Sequence, residues 1–391
     1  MAGPGSYLID DEERRQLLDV IESGHLTRYG DEDDPRFKRK VVQFEQELAA
    51  LLGVSYCVAT NSGTGSLLAV LAALDIGTGD EVVVPAYTFI ASMSSVILAG
   101  ARPILAEIDE SLTLDPADVR RRITAKTRAI MAVHMLGNPC NMDALTQIAQ
   151  ETGVILIEDA CQALGASFRG RRCGTIGKMG AFSLNVFKTI TAGDGGAVVT
   201  DSEVLYERAF AFHDQGHRPL RLGVEIGTRE IIGMNLRMNE LTGAVALAQV
   251  RKVPAILDRL RRNKAVLKSC LSGVKGVGFR TINDPGECGT LLTLVFEKPD
   301  HARRFATRIG TKTLDHSGWH VYNNMEQILR REGIAPHSRP RTDDVLSRAV
   351  NISVGVVDPG LGSPTGIDIS SDRASIERTG ANLRAELERT A

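Results

Sequence analysis

Apolar and polar positions change their period several times along this chain. From Arg36 to Leu52, Phe37, Val41, Phe44, Leu48 and Leu51 recur at helical spacing and Gly53 follows, which predicts a helix with a glycine cap. A shorter helix is predicted over Asp11 to Ser23, stopped by Gly24. Short apolar runs then alternate with helical stretches. Tyr56–Ala59, Glu81–Pro85, Arg102–Ala106, Arg128–Val133, Val154–Ile157, Gly180–Ser183 and Ala197–Thr200 read as strands. Gly65–Leu74 and Met142–Thr152 read as helices between them. Such alternation argues for an α/β fold with an open, mostly parallel sheet covered on both faces.

The pattern changes after about residue 235. Residues 240–271 predict one long helix with no strand beside it. Beyond lie two short strands, Val277–Phe279 and Leu291–Phe296, a helix over His301–Ile309, a Gly- and Pro-rich loop over Asp358–Asp368 and a terminal helix from Asp372. The expected organisation is a large domain over residues 1–239, then an inter-domain helix and a small α+β domain over 240–391.

Composition narrows the class. At 391 residues, 43% hydrophobic and 24% charged, the chain has the make-up of a globular enzyme. A net charge of -2 argues for neither nucleic acid nor an anionic membrane as partner. No apolar run reaches the roughly 18 residues that would span a bilayer. The first residues lack the basic and apolar regions of a signal peptide. Six scattered cysteines without CxxC spacing suit reduced thiols, so a cytoplasmic location is expected.

The chemistry concentrates in a few stretches. Lys188 is a lone lysine among apolar residues, followed by the turn Gly193-Asp194-Gly195-Gly196. A lysine so placed can form a Schiff base with an aldehyde. Glu158-Asp159 ends the apolar run Val154–Ile157, and a carboxylate at a strand end can hold a pyridinium nitrogen protonated. Strand alternation turns the two acidic side chains to opposite faces, so only one can serve the site. The turn Asn61-Ser62-Gly63-Thr64-Gly65-Ser66 precedes a helix, whose free N–H groups make a phosphate seat; it would equally serve as a plain helix cap. Two glycines followed by Leu68 do not complete a dinucleotide fingerprint. Together these features read as a pyridoxal phosphate (PLP) site. His213 and His217 stand four apart, but no third ligand is evident and no metal is expected.

The order of these pieces resembles one family. The phosphate turn, Pro85-Ala86-Tyr87-Thr88-Phe89, Glu158 to Ala163, Phe182-Ser183, Lys188, and Gly193 to Thr200 are similar to the DegT/DnrJ/EryC1/StrS family of PLP-dependent sugar aminotransferases. Val133 to Asp143 and Gly233 to Glu240 match two further family segments, and the resemblance spans roughly residues 10 to 330. It implies an aspartate aminotransferase-like (fold type I) PLP transferase that moves an amino group from glutamate or glutamine to a keto or aldehydo sugar or a cyclitol.

The resemblance also implies roles. Lys188 would carry the cofactor and shuttle a proton. Asp159 would hold the ring nitrogen, Phe89 would stack on the ring, and Gln162 would reach the phenolic oxygen. Gly63, Thr64 and Ser183 would bind the phosphate. Asn235 would reach the partner's cofactor in a homodimer with shared sites. Relatives with His in place of the lysine are dehydratases, and Lys188 argues against that branch. An elimination on the same scaffold and a non-catalytic sensor are the alternatives. Around residue 320 the wording Trp319-His320-Val321-Tyr322-Asn323-Asn324 departs from the family's sugar-facing stretch; with Lys188-Thr189-Ile190-Thr191-Ala192-Gly193 it resembles the branch that aminates eight-carbon sugars. His320 and Tyr322 are therefore the expected sugar contacts. Arg237 is preferred over Arg28 and Arg218 for a carboxylate or phosphate of the substrate.

Overall fold

The computed structural model describes residues 3–31, 33–219, 231–356, 361 and 366–390. The predicted alternation forms β1 (Tyr56–Thr60), β2 (Glu81–Pro85), β3 (Arg102–Ala106), β4 (Thr127–Val133), β5 (Ile155–Asp159), the small hairpin β6 (Ser167–Phe168) and β7 (Arg171–Arg172), then β8 (Gly180–Ser183) and β9 (Gly196–Thr200). Seven of these make one sheet in the order β1-β9-β8-β5-β4-β2-β3. Its pairs are parallel except at one edge, where β9 runs antiparallel to both β8 and β1.

Neighbouring strand residues enter different cores. Val82, Val84, Ala129, Met131 and Val133 pack on one side. Val83, Ile130 and Ala132 pack on the other. The strands therefore read as continuous apolar runs. The two faces are covered by α1 (Asp11–Ser23), α2 (Lys40–Leu52), α3 (Gly63–Ala73), α4 (Ile90–Leu98), α5 (Pro116–Arg122), α6 (Met142–Thr152), α7 (Glu203–His213) and α8 (Glu240–Val250).

The C-terminal part contains α9 (Val253–Leu271), β10 (Val277–Phe279), β11 (Leu291–Phe296), α10 (Pro299–Arg308), α11 (Glu326–Glu332), α12 (Pro340–Ser347), β12 (Ala349–Ser353) and α13 (Arg373–Glu388). Strands β10, β11 and β12 form an antiparallel sheet. Its own core holds Leu267, Leu294, Phe296, Phe305, Ile352 and Leu383. Val321, Tyr322, Leu346 and Ala349 instead join the core of Val84 and Tyr87, so apolar packing crosses the expected boundary at residue 239.

Two helices differ from the periodicity. The single helix expected over 240–271 is two, α8 and α9, broken at Arg251-Lys252. Pro254 falls in the first turn of α9, where its missing N–H costs nothing; inside a continuous helix its ring would clash with the carbonyl four residues earlier. Helix α2 begins at Lys40, not Arg36, because Arg39 is left-handed (φ 54°) and the Glu240 carboxylate accepts from Lys40 N (2.6 Å) and Val41 N (3.0 Å). A carboxylate about two hundred residues away thus supplies the N-cap. Strand β12 is absent from the elements the sequence predicts. Most of the expected loop Asp358–Asp368 lies outside the described residues.

Candidate active site

At the carboxyl ends of the parallel strands lies a cavity of about 490 Å³. Open α/β sheets bind ligands at this end. Lys188, Asp159, Gln162, Phe89, Ser183, Gly63, Thr64 and His320 all line it. Stretches far apart in the chain converge there.

Asp159 is the last residue of β5, between Val133 of β4 and Ala181 of β8. It is only 5% exposed. Its Oδ1 accepts from Cys161 N (3.1 Å) and its Oδ2 from the Ser92 hydroxyl (2.7 Å). Glu158 turns the other way. Its carboxylate accepts from Gly174 N (2.8 Å), Ile176 N (2.6 Å), Gly177 N (2.5 Å) and His134 Nε2 (2.8 Å). His134 Nδ1 accepts from Cys140 N, which leaves the proton on Nε2 for Glu158.

Lys188 lies on an excursion between β8 and β9. Leu184 closes its neck, with Leu184 N donating to Gly195 O (2.9 Å) and Leu184 O accepting from Ala192 N and Thr191 Oγ1 (both 3.0 Å). Gly3 N donates to Val186 O (2.7 Å), and Gln249 of α8 accepts from Thr191 N (3.3 Å), so the N-terminal segment and α8 support the turn from behind. Lys188 Nζ stands 5.9 Å from the centre of the Phe89 ring.

The phosphate turn opens α3. Ser62 is its N-cap, accepting from Gly65 N (3.0 Å). The N–H groups of Gly63 and Thr64 lie in the first turn, where no helix carbonyl can accept them, and the positive end of the helix dipole adds to the attraction for an anion. A Cβ on Gly63 would lie 2.7 Å from Ser183 Cβ and 3.1 Å from Cys161 Sγ, so only glycine allows this approach. Burial and the Asp159 charge push the Cys161 thiol well up; it is a neutral wall of the cavity.

The orientation of Gln162 is set from outside the cavity. Its Oε1 accepts from Leu136 N (2.9 Å), which leaves its NH₂ free to donate. Leu136 is left-handed (φ 56°), and its carbonyl accepts from Arg280 and Thr290, each at 2.9 Å.

His320 arrives from the C-terminal part. Thr88 N donates to His320 O (2.9 Å) and Tyr322 N to Ala86 O (3.1 Å), so residues 320–322 pair with the continuation of β2. The His320 ring comes within 5.3 Å of the Phe89 ring, centre to centre. Burial first, then the Lys188 charge, lowers its pKa to about 3, so the imidazole is neutral. Exposed Trp319 lines the mouth.

Three expected residues do not line the cavity. Tyr322 is fully buried in the core; its hydroxyl donates to Asp343 (3.3 Å) and accepts from Arg339 N (2.9 Å). Burial leads in raising its pKa to about 12. Residues 318–320 and 322–324 are two short 3₁₀ turns on either side of the single bridge Val321–Tyr87, so His320 and Tyr322 do not follow strand alternation and can meet different surroundings. The Arg237 guanidinium is committed to Asp214 and to Gln215 Oε1 (3.1 Å). Asn235 is exposed, outside the cavity of its own chain, with Oδ1 accepting from Arg237 N. Conversely, Ser92, Thr88 and Asn185 escaped the sequence reading. Asn185 lines the cavity and donates to Asp194 (3.1 Å). Ser92 and Thr88 look like ordinary small helix-start residues; only the contact of Ser92 with Asp159, and of Thr88 with Ser92, distinguishes them.

A lysine and an aspartate meeting at the carboxyl end of a mostly parallel sheet, beside a helix N-terminus, define a fold type I PLP-dependent transferase. The chain belongs to the DegT/DnrJ/EryC1/StrS aminotransferase family, whose model matches residues 8–356. It is 36% identical to a GDP-perosamine synthase of Vibrio cholerae over 270 residues, covering 68% of this chain and 70% of that one. Two further GDP-perosamine synthases match over 63% and 64% of their length. It is 35% identical to the dTDP-3-amino-3,4,6-trideoxy-alpha-D-glucose transaminase of Streptomyces venezuelae over 315 residues, covering 80% of this chain and 81% of that one. Among solved structures, DesV of S. venezuelae in complex with a ketimine intermediate is similar with a TM-score of 0.80 and 32% identity, covering 97% of this chain and 95% of that one. Among the described residues no helix is long and apolar enough to cross a membrane.

Proposed function

We infer that this aminotransferase uses PLP to move an amino group from glutamate or glutamine to a carbonyl carbon of a sugar. The observation that carries the reading is the convergence of Lys188, Asp159 and the α3 N-terminus on one cavity. The cavity fits the cofactor by its donors. An anion seat at Gly63 and Thr64, a buried carboxylate at Asp159, an amide donor at Gln162 and an amine at Lys188 answer a phosphate, a ring nitrogen, a phenolic oxygen and an aldehyde. Bound PLP supplies that aldehyde and a ring able to store an electron pair.

The chain's own residues do the rest. Gly63 and Thr64 N–H, with the Ser183 hydroxyl, would anchor the phosphate. Phe89 would hold the ring, and the Asp159 carboxylate would keep the ring nitrogen charged. Lys188 Nζ takes the proton lost from the α-carbon of the amino donor and returns a proton to the acceptor carbon that receives the amine. Neutral His320 and Trp319 stand at the mouth, where they can read hydroxyls of the acceptor. The named relatives act on GDP- and dTDP-linked sugars, which supports a nucleotide-linked acceptor here. Exposure of Asn235 away from its own cavity supports a homodimer in which it serves the partner's cofactor. A cytoplasmic location suits both substrates.

The test is amine transfer followed by mass spectrometry across nucleotide-linked, free and eight-carbon keto or aldehydo sugars and cyclitols, with glutamate and glutamine as donors. The expected result is an aminated nucleotide-linked sugar, formed only when a donor is present and lost in Lys188→Ala. Product formed without a donor would make this an elimination enzyme.

A further inference from the structure

Ser92 lies in the first turn of α4 and is fully buried. A serine inside a helix ordinarily returns its hydroxyl to a carbonyl of the preceding turn. Ser95 does so in this helix, donating to Ser92 O (3.4 Å). Ser92 instead donates to Asp159 Oδ2 at 2.7 Å. An ionised carboxylate can only accept, so the Ser92 proton is committed to Asp159. Thr88 Oγ1, 2.6 Å from Ser92 Oγ, then donates to Ser92. The chain is directional: Thr88 to Ser92 to Asp159. Thr88 is buried as well, and its N–H donates to His320 O (2.9 Å). With Cys161 N on Oδ1, each oxygen of the carboxylate has one fixed donor, and its rotation is set.

We propose that Ser92 is a positioning residue that acts through Asp159. It holds the carboxylate plane at the ring-nitrogen end of the cavity and, through Thr88, ties that plane to the turn carrying His320. The inference rests on reading the cavity as a PLP site. Without Ser92, Oδ2 loses its donor in a buried place and the carboxylate turns about its terminal bond, so the ring nitrogen's proton is held less well.

The test loads the enzyme with PLP labelled with ¹⁵N in the ring and reads the ¹⁵N chemical shift, alongside melting temperature and the rate of the half-reaction with the amino donor. The wild type should show a protonated ring nitrogen. Ser92→Ala should move the signal toward the neutral range and slow the half-reaction by about tenfold or more, the worth of one hydrogen bond to a charged group. Thr88→Ser, which keeps the relaying hydroxyl, should retain the wild-type signal. In an Asp159→Asn background Ser92→Ala should change nothing further, because coupled residues are not additive. If Ser92→Ala melts too low to be loaded, Ser92→Cys, which keeps the size but offers only a weak donor, is read in its place with the same two outcomes. A wild-type ¹⁵N signal and rate in the variant would overturn the proposal. A wild-type protein that takes up no PLP would overturn the cofactor reading instead, so the two failures are distinct.

Discussion

Glu158 and Asp159 are consecutive residues whose carboxylates serve opposite faces of one strand. Asp159 faces the cavity, held by one N–H and one hydroxyl. Glu158 is sealed behind it, held by backbone N–H groups of 174–177 and by His134. The two therefore separate chemistry from stability. Asp159→Asn should keep the melting temperature within a few degrees and lose roughly a hundredfold or more in transfer rate, since a neutral amide does not hold the ring nitrogen charged. Glu158→Gln should lower the melting temperature, because an amide cannot accept all four of these donors, while the folded protein keeps its rate within a few-fold. Thermal melts beside steady-state rates check both, and interchanged phenotypes would reassign the ring partner.

His320 and Tyr322 are two residues apart and meet different surroundings. His320→Ala should slow the half-reaction with the sugar acceptor far more than that with the amino donor, since the donor needs only its amine and carboxylate held. Tyr322→Phe should leave the ratio of the two half-reactions alone. It should cost about 1 kcal/mol of stability, the net worth of the part-buried hydrogen bond from Arg339 N–H. Stopped-flow spectra of each half-reaction, with denaturant titration of both variants, separate the two effects.

Asn235 should serve the partner's cofactor. Mixing Lys188→Ala with a severely impaired Asn235 variant should place both defects in one site of a heterodimer and leave the other site intact. Activity should then return to part of the wild-type level. No recovery, once subunit exchange has been verified, would mean that Asn235 acts in its own chain.

Acid should destabilise the fold through buried His213. Burial, then the Arg28 charge, lowers the pKa of His213 to about 3. Arg28 Nη1 donates to its Nε2 (3.1 Å), which needs a neutral ring. Unfolded histidine titrates near 6.5, so between that value and about 3 the unfolded chain binds the extra proton and stability falls as pH falls. From pH 7 to pH 5 this one group should cost about 2 kcal/mol. Melting curves over that range should therefore be shallower in His213→Gln than in the wild type. Parallel curves would show that His213 is protonated in the fold.

The sequence by itself determined the alternation of strands and helices and the glycine turn before α3, and it singled out Lys188 and Asp159, which line one cavity. Each is written within a few consecutive residues: apolar runs buried on both faces, a strand-end carboxylate, a helix start with unpaired N–H groups. Alternation alone already forced Glu158 and Asp159 apart. Pro254 also stood in the sequence, and the break between α8 and α9 was legible there, although helical periodicity passed over it. What only the tertiary structure decided depends on the path of the chain. Glu240 caps α2 and Ser92 meets Asp159 across long separations in sequence. The two 3₁₀ turns that flank the bridge of Val321 to Tyr87 admit His320 to the cavity and keep Tyr322 in the core. Arg237 is taken by Asp214. Periodicity reports that a side chain is buried, but it carries no information about which distant group lies opposite, and that partner decides whether a polar residue supports the fold or serves the site.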